Sequence, residues 1–100
     1  MHMKTTGQRF KDLRKELRLT QEVFANKIGL SKSAISAVES DKSFISQNVM
    51  STLFMEFNVN LNWLVVGEGK MFNAPKYEDV KDEILKEVDE ILKKYGVKNI

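Results

Sequence analysis

Cysteine is missing from this chain of 100 residues, and proline and histidine occur once each. Without a thiol there is no disulfide framework, no cysteine nucleophile and no cysteine-based zinc site, and a reducing cytoplasm is the default home. The lone histidine, His2, sits beside Met1 in what reads as a short remnant ahead of a native Met3, a poor place for a catalytic group. Long apolar runs are missing too. Leu64-Val65-Val66 is typical, far below the ~20 residues needed to span a bilayer, and no apolar signal segment opens the chain. No Ser/His/acid set and no metalloprotease signature can be found, and Gly67-Glu68-Gly69 is too short for a phosphate loop and closes a helix instead of opening one. Acid pairs such as Asp82-Glu83 lie among lysines, as on a solvated face. The expectation is a cytoplasmic single domain that is not an enzyme, with no metal, no cofactor, no membrane partner and no evident small-molecule effector.

What the chain does have is an ordinary globular share of hydrophobic residues, 42%, with 30% charged. The net charge of +2 is unevenly spread. Residues 1–45 carry nine basic side chains against five acidic ones, whereas residues 76–100 carry six lysines against seven acids. A basic front and a neutral, highly charged tail suggest two jobs.

Apolar residues recur at helical spacing throughout, and no stretch alternates as a strand does. Thr5-Thr6-Gly7-Gln8 has the form of a capping box and opens a first helix with Phe10, Leu13 and Leu17 on its inner face, ending near Arg18. Thr20 caps a second helix with Val23, Phe24 and Ile28 inward, closed by Gly29; Ser31 caps a third with Ile35 and Val38 inward. Ser46 caps a fourth, whose apolar face is Val49, Met50, Leu53, Phe54 and Phe57, and Asn60 caps a short fifth helix from Leu61 to Val66. Met50, Phe54, Phe57 and Trp63 read as core. A sixth helix runs from Tyr77 to Tyr95 and stops at Gly96. The fold class is all-α.

Thr20 to Lys42 is the central unit: two short helices joined by a turn around a glycine, the form of a helix-turn-helix. Ala25 must be small because the later helix crosses close above it, and Gly29 must take positive φ without a Cβ penalty. Ile35 and Val38 complete the shared core. In such a unit the second helix enters the major groove with its N-terminal residues at base edges. The exposed positions there are Lys32, Ser33, Ser36 and Ala37: a donor for guanine O6 or N7, two hydroxyls that donate or accept, and a methyl that can touch thymine. Glu39 is expected to pair with a basic residue of the first helix.

The stretch LRKELRLTQEVFANKIGLSKSAISAVESDK (Leu13 to Lys42) resembles the Xre/Cro/lambda-repressor family, and NVNLNWLVVGEGKMF resembles the fifth-helix end of many members. The resemblance covers about residues 7–72. It implies a five-helix DNA-binding domain of a transcriptional regulator, most often a repressor and often phage-derived, that binds a palindromic operator in double-stranded DNA as a dimer. It also implies phosphate contacts from Gln21 and from Lys42 and Ser43 in the loop after the third helix. Where members commonly carry Asn-Gly, this chain has Ser40-Asp41. A carboxylate there weakens a phosphate contact or turns outward. Small Ser and Ala at the reading positions leave more of the discrimination to shape and backbone contacts.

The expected division is a DNA-binding head over 1–72, a linker over 73–76 and a dimerisation helix over 77–100. Val80, Ile84, Val88, Ile91 and Tyr95 recur on that helix at intervals of three and four, with Leu85 and Leu92 widening the stripe. The stripe either packs back on its own head or pairs with a second copy, and pairing is favoured because heads of this type read paired half-sites. The alternative class is a protein-interaction module, of antitoxin or antirepressor type, that uses the same helix.

Overall fold

Thr5, Thr20, Ser31, Ser46 and Asn60 each accept a hydrogen bond from the first turn that follows them, and each opens a helix. The helices are α1 (Thr6–Glu16), α2 (Gln21–Ile28), α3 (Lys32–Glu39), α4 (Gln47–Phe57), α5 (Leu61–Val66) and, after Pro75, α6 (Tyr77–Lys94). The computed structural model describes residues 3–75 and 77–96. His2 and the part of the expected 77–100 segment from residue 97 onward lie outside that range. The capping box of α1 is complete: the Gln8 N–H donates to Thr5 Oγ1 at 3.1 Å and the Thr5 N–H donates to Gln8 Oε1 at 2.9 Å.

The five-helix head closes around Phe10, Leu13, Phe24, Ala25, Ile28, Ile35, Val38, Val49, Leu53 and Leu64, with Ile45 and Val59 from the loops. Phe24 links two helices to its own, its ring centroid 5.2 Å from that of Phe10 and 6.1 Å from that of Phe57. Each such side chain contributes about 1.5–3 kcal/mol by leaving water. Two expected core residues do not join it. Val23 is 42% exposed and Phe54 51% exposed. Both stand about 100° around the helix from a fully buried neighbour, Phe24 or Leu53, and the apolar stripes are narrower than the runs of apolar letters that mark them.

Beyond α5 the chain folds back on the α4–α5 connector. Val59 and Phe72 form an antiparallel bridge, the Asn60 N–H donates to Met71 O at 2.9 Å, and the Asn73 N–H donates to Asn58 O at 2.9 Å. Asn73 Nδ2 also donates to Val59 O at 3.2 Å, so the head's hydrogen bonds run one residue into the expected linker.

Two polar joints bring distant helix ends together. Arg9, expected on the basic surface, is 7% exposed. Its Nε donates to Leu64 O at 2.8 Å and its Nη2 to Val65 O at 2.9 Å, while Nη1 donates to Lys4 O. A guanidinium thus caps the carbonyl end of α5, where the helix dipole favours a cation. At the other joint, Asp41 Oδ1 accepts from the Gly7 N–H at 3.0 Å and Oδ2 accepts from Thr5 Oγ1 at 2.6 Å. The end of α3 therefore sits against the start of α1. A Cβ on Gly7 would lie 2.2 Å from Val38 O and 2.4 Å from Asp41 Oδ1, so only glycine permits this approach. Gly7→Ala is expected to lower stability by about 1–3 kcal/mol as the two elements are forced apart. Urea unfolding of the purified variant measures this, and an unchanged midpoint would contradict the close packing.

Candidate nucleic-acid interface

The turn between α2 and α3 is set by backbone chemistry. Gly29 adopts φ +74°, ψ +30°, and its N–H and that of Leu30 both reach the Ala25 carbonyl. A Cβ at Gly29 would meet nothing within 4 Å. Conformation rather than space therefore selects glycine here. Ala25 is buried on α2, which packs against α3, and Ile35 and Val38 are buried on α3, which packs against α1 and α2.

With that side fixed inward, Lys32, Ser33 and Ser36 are exposed and Ala37 is half-exposed. The four share an arc of about 140° around α3, opposite Ile35 and Val38. Ser33 Oγ shares a hydrogen bond with Ser31 Oγ at 3.1 Å, and Ser31 Oγ also accepts from the Ala34 N–H at 3.1 Å. The first turn of α3 is thus ordered by two hydroxyls at its exposed tip.

Gln21, at the first position of α2, is half-buried, and its Nε2 donates to Glu39 Oε1 at 3.3 Å. Glu39 is gripped at both oxygens by Arg14, with Nε to Oε2 at 2.7 Å and Nη2 to Oε1 at 3.0 Å. Arg14 Nη1 donates as well to Leu19 O at 3.0 Å. One cluster therefore ties α1, the α1–α2 turn, α2 and the last residue of α3. Burial pushes the Glu39 carboxyl upward, but hydrogen bonds from Arg14 and Gln21, with the charges of Arg14 and Lys11, outweigh it and hold the group below its ordinary value. The bonds to Glu39 likewise raise Arg14 against the effect of burial. Glu39 thus has the expected partner on the first helix.

After α3 the loop wraps the helix end. Ser40 Oγ donates to Ser36 O at 2.8 Å, and the N–H groups of Lys42 and Ser43 both reach Ala37 O, at 2.8 and 3.2 Å. Lys42 and Ser43 are exposed, and with their amides engaged it is their side chains that are turned over to any outside partner. Asp41 is exposed, yet its carboxylate is bound to the start of α1, an internal contact that the sequence expectation did not include. It also holds φ +61°, the left-handed conformation for which Asn-Gly supplies glycine in the family pattern. That substitution was the available signal, since an aspartate replacing such a glycine needs a local reason to stay there. Phe44, which follows, is fully exposed and was not singled out by its sequence context.

A sequence profile of helix-turn-helix domains matches residues 7–70. The chain is 39% identical over 83 residues to antitoxin PezA of Streptococcus pneumoniae serotype 4, an alignment covering 81% of this chain and 52% of that protein. It is 30% identical over 78 residues to the propionyl-CoA carboxylase regulator of Cereibacter sphaeroides, covering 78% of this chain and 17% of that one. The chain therefore spans about half the length of the first relative and about a sixth of the second. Among solved structures, the P22 c2 repressor in complex with a synthetic operator superposes with a TM-score of 0.61 at 23% identity, over 66% of this chain and all of that one. At that identity the likeness establishes the fold.

The Arg14–Glu39 geometry makes stability depend on acid. Because Glu39 is held below its ordinary value in the folded chain, its contribution is present above the unfolded carboxylate range and is lost as pH falls through the lowered folded value. Glu39→Gln is expected to flatten this part of the stability–pH profile below the ordinary carboxylate range. Arg14→Met, which strands a buried carboxylate, is expected to cost about 3–5 kcal/mol near neutral pH. Thermal unfolding across a pH series tests both, and identical profiles for the parent and Glu39→Gln would rule out the pair as the source.

Proposed function

The chain belongs to the helix-turn-helix domain family, in its Xre and lambda-repressor-like branch, and from that premise we propose that it is a sequence-specific regulator that represses transcription by binding a palindromic operator as a homodimer. The observation that carries the reading is the arc of Lys32, Ser33, Ser36 and Ala37 on a helix anchored on its opposite side. A helix of eight residues, fixed by a glycine turn at one end and an ion-pair cluster at the other, is suited to presenting its first turns to base edges. Lys32 donates to guanine, Ser33 and Ser36 adapt to either edge, and Ala37 contacts a thymine methyl. Gln21, Lys42 and Ser43 flank the arc and take phosphates, which positions the helix without reading sequence. No helix among the described residues is long and apolar enough to cross a membrane. The work we assign to the chain is cytoplasmic, on double-stranded DNA, and not catalytic.

Dimerisation is assigned to α6. Ile84, Leu85, Val88, Ile91 and Tyr95 are between 43% and 72% exposed, with Val80 and Leu92 half-buried beside them. The stripe is therefore not covered by its own head, and a contiguous apolar face of this kind invites association. Similarity to antitoxin PezA supports a second reading, in which α6 docks on a different protein.

Selection of bound fragments from a random DNA pool is the direct test: a palindromic consensus is expected, and failure to enrich one at moderate salt removes the reading. On the selected site, Lys32→Ala should cost about 1–3 kcal/mol and shift the preferred bases, whereas Gln21→Ala should weaken all sequences alike. Uniform loss in both would reassign Lys32 to the DNA backbone. Truncation after Pro75 should leave a folded, monomeric head that binds the operator orders of magnitude more weakly. Sedimentation of both chains decides this point: two dimers would place the contact in the head, and a full-length monomer would favour the second reading.

A further inference from the structure

We propose that the α6 helices of two chains pair antiparallel, with Ile84 against the partner's Tyr95 and Val88 against the partner's Ile91. This rests on the dimer reading above and adds its orientation. Along α6, Ile84 and Ile91 fall at one seam position of a heptad, and Val88 and Tyr95 at the other. Leu85 and Leu92 then flank the seam on one side, Glu87 and Lys94 on the other. The flanking positions set orientation. In a parallel pair each flank meets the opposite flank of its partner, so Glu87 is laid against the partner's Leu92, twice by symmetry. In an antiparallel pair like meets like. Leu85 packs on the partner's Leu92, and Glu87 faces the partner's Lys94, again twice.

The side chains of the free helix are disposed for this. Leu85, Glu87 and Lys94 are all exposed, and the Lys94 ammonium rests 5.9 Å from the Tyr95 ring centroid, at the edge of the seam. The Lys93–Asp89 ion pair, 3.0 Å, lies one turn apart on the side away from the seam, where it leaves the pairing face clear.

Orientation has a consequence for the DNA. In this register the starts of the two α6 helices are about 25 residues apart along the common axis, about 37 Å at 1.5 Å per residue. Half-sites one turn apart are centred about 34–36 Å from each other. A parallel pair would start both helices about 10 Å apart, the distance between packed helix axes. Antiparallel α6 helices act as a spacer of about the length the heads need.

The absence of cysteine from the chain makes the test direct. Full-length Ile84→Cys and Tyr95→Cys are prepared singly, then oxidised alone and as a mixture, and the products are identified by mass. The expected result is an efficient mixed disulfide and little of either homodimer. Efficient self-linking of Ile84→Cys overturns the proposal in favour of parallel pairing while leaving the dimer reading intact. A chain that sediments as a dimer but forms no link overturns it too and moves the contact elsewhere, with the exposed Phe44 as the first place to look. A monomer removes this proposal together with the dimer reading. An independent measurement uses charge: Glu87→Lys should weaken dimerisation roughly tenfold and Glu87→Lys with Lys94→Glu should restore it. No restoration counts against the antiparallel register.

Discussion

The bidentate pair between Arg14 and Glu39 is the interaction on which the arrangement of the head depends. It joins α1 to the last residue of α3, and through Gln21 and the Leu19 carbonyl it includes α2 and the turn before it. Arg14 and Glu39 are withdrawn from water, with side-chain exposures of 12% and 5%. Desolvation of two such groups offsets most of their attraction, so the pair adds little net stability over a well-packed apolar replacement. What it adds is direction. An apolar core tolerates a helix that rotates or slides by a fraction of a turn, whereas a two-bond fork to one carboxylate does not. The fork thereby sets the angle at which α3 presents Lys32, Ser33, Ser36 and Ala37.

The remaining polar joints follow the same logic and account for the charge balance. Arg9 is drawn inward by the carbonyl end of α5, and Asp41 by the amide end of α1, each at the pole of the helix dipole that suits its charge. Counting Arg14 and Glu39 with them, two cations and two anions of residues 1–45 are taken up in internal bonds. The basic surplus of that segment is therefore undiminished, and it belongs to side chains such as Lys11, Lys15, Arg18, Lys27, Lys32 and Lys42, all exposed. Exposed positive charge and internal fastening are handled by different residues, although arginine serves in both.

Local chemistry was legible in the sequence. Thr5, Thr20, Ser31, Ser46 and Asn60 cap where their residue types predict, because a cap needs only its own first turn. Gly29 and Gly67 close their helices at positive φ for the same reason. The central core residues Phe10, Leu13, Ile28, Ile35, Val38 and Leu53 follow from periodicity. What was not legible involved two partners far apart in the chain. Gly7 reads as an ordinary residue within a capping box until the Val38 carbonyl is set beside it, and Arg9 reads as a surface cation until α5 ends against it. Val23 and Phe54 show the limit of periodicity alone. It finds an apolar stripe but not its edge, which is decided by how closely the neighbouring helix approaches.

Under the proposed function, the exposed arc of α3 and the tail helix both bear on specificity. Ser33, Ser36 and Ala37 are short, so in the role proposed for them each would reach few base atoms and discriminate weakly, and a rigid support cannot lengthen them. Discrimination then comes from terms that a single head lacks: the shape of the DNA between half-sites, and the requirement that two half-sites stand at one separation. The last of these depends on what joins the heads. A flexible join would accept a range of separations and lose the term, whereas a helix pair fixes the distance through its rise per residue. An amphipathic helix of 18 residues is longer than any other among the described residues, and its apolar face serves no described packing within the head. In the proposed function a short-armed α3 and a long spacer helix are therefore complementary parts of one solution, in which sequence would be recognised as much by distance as by contact.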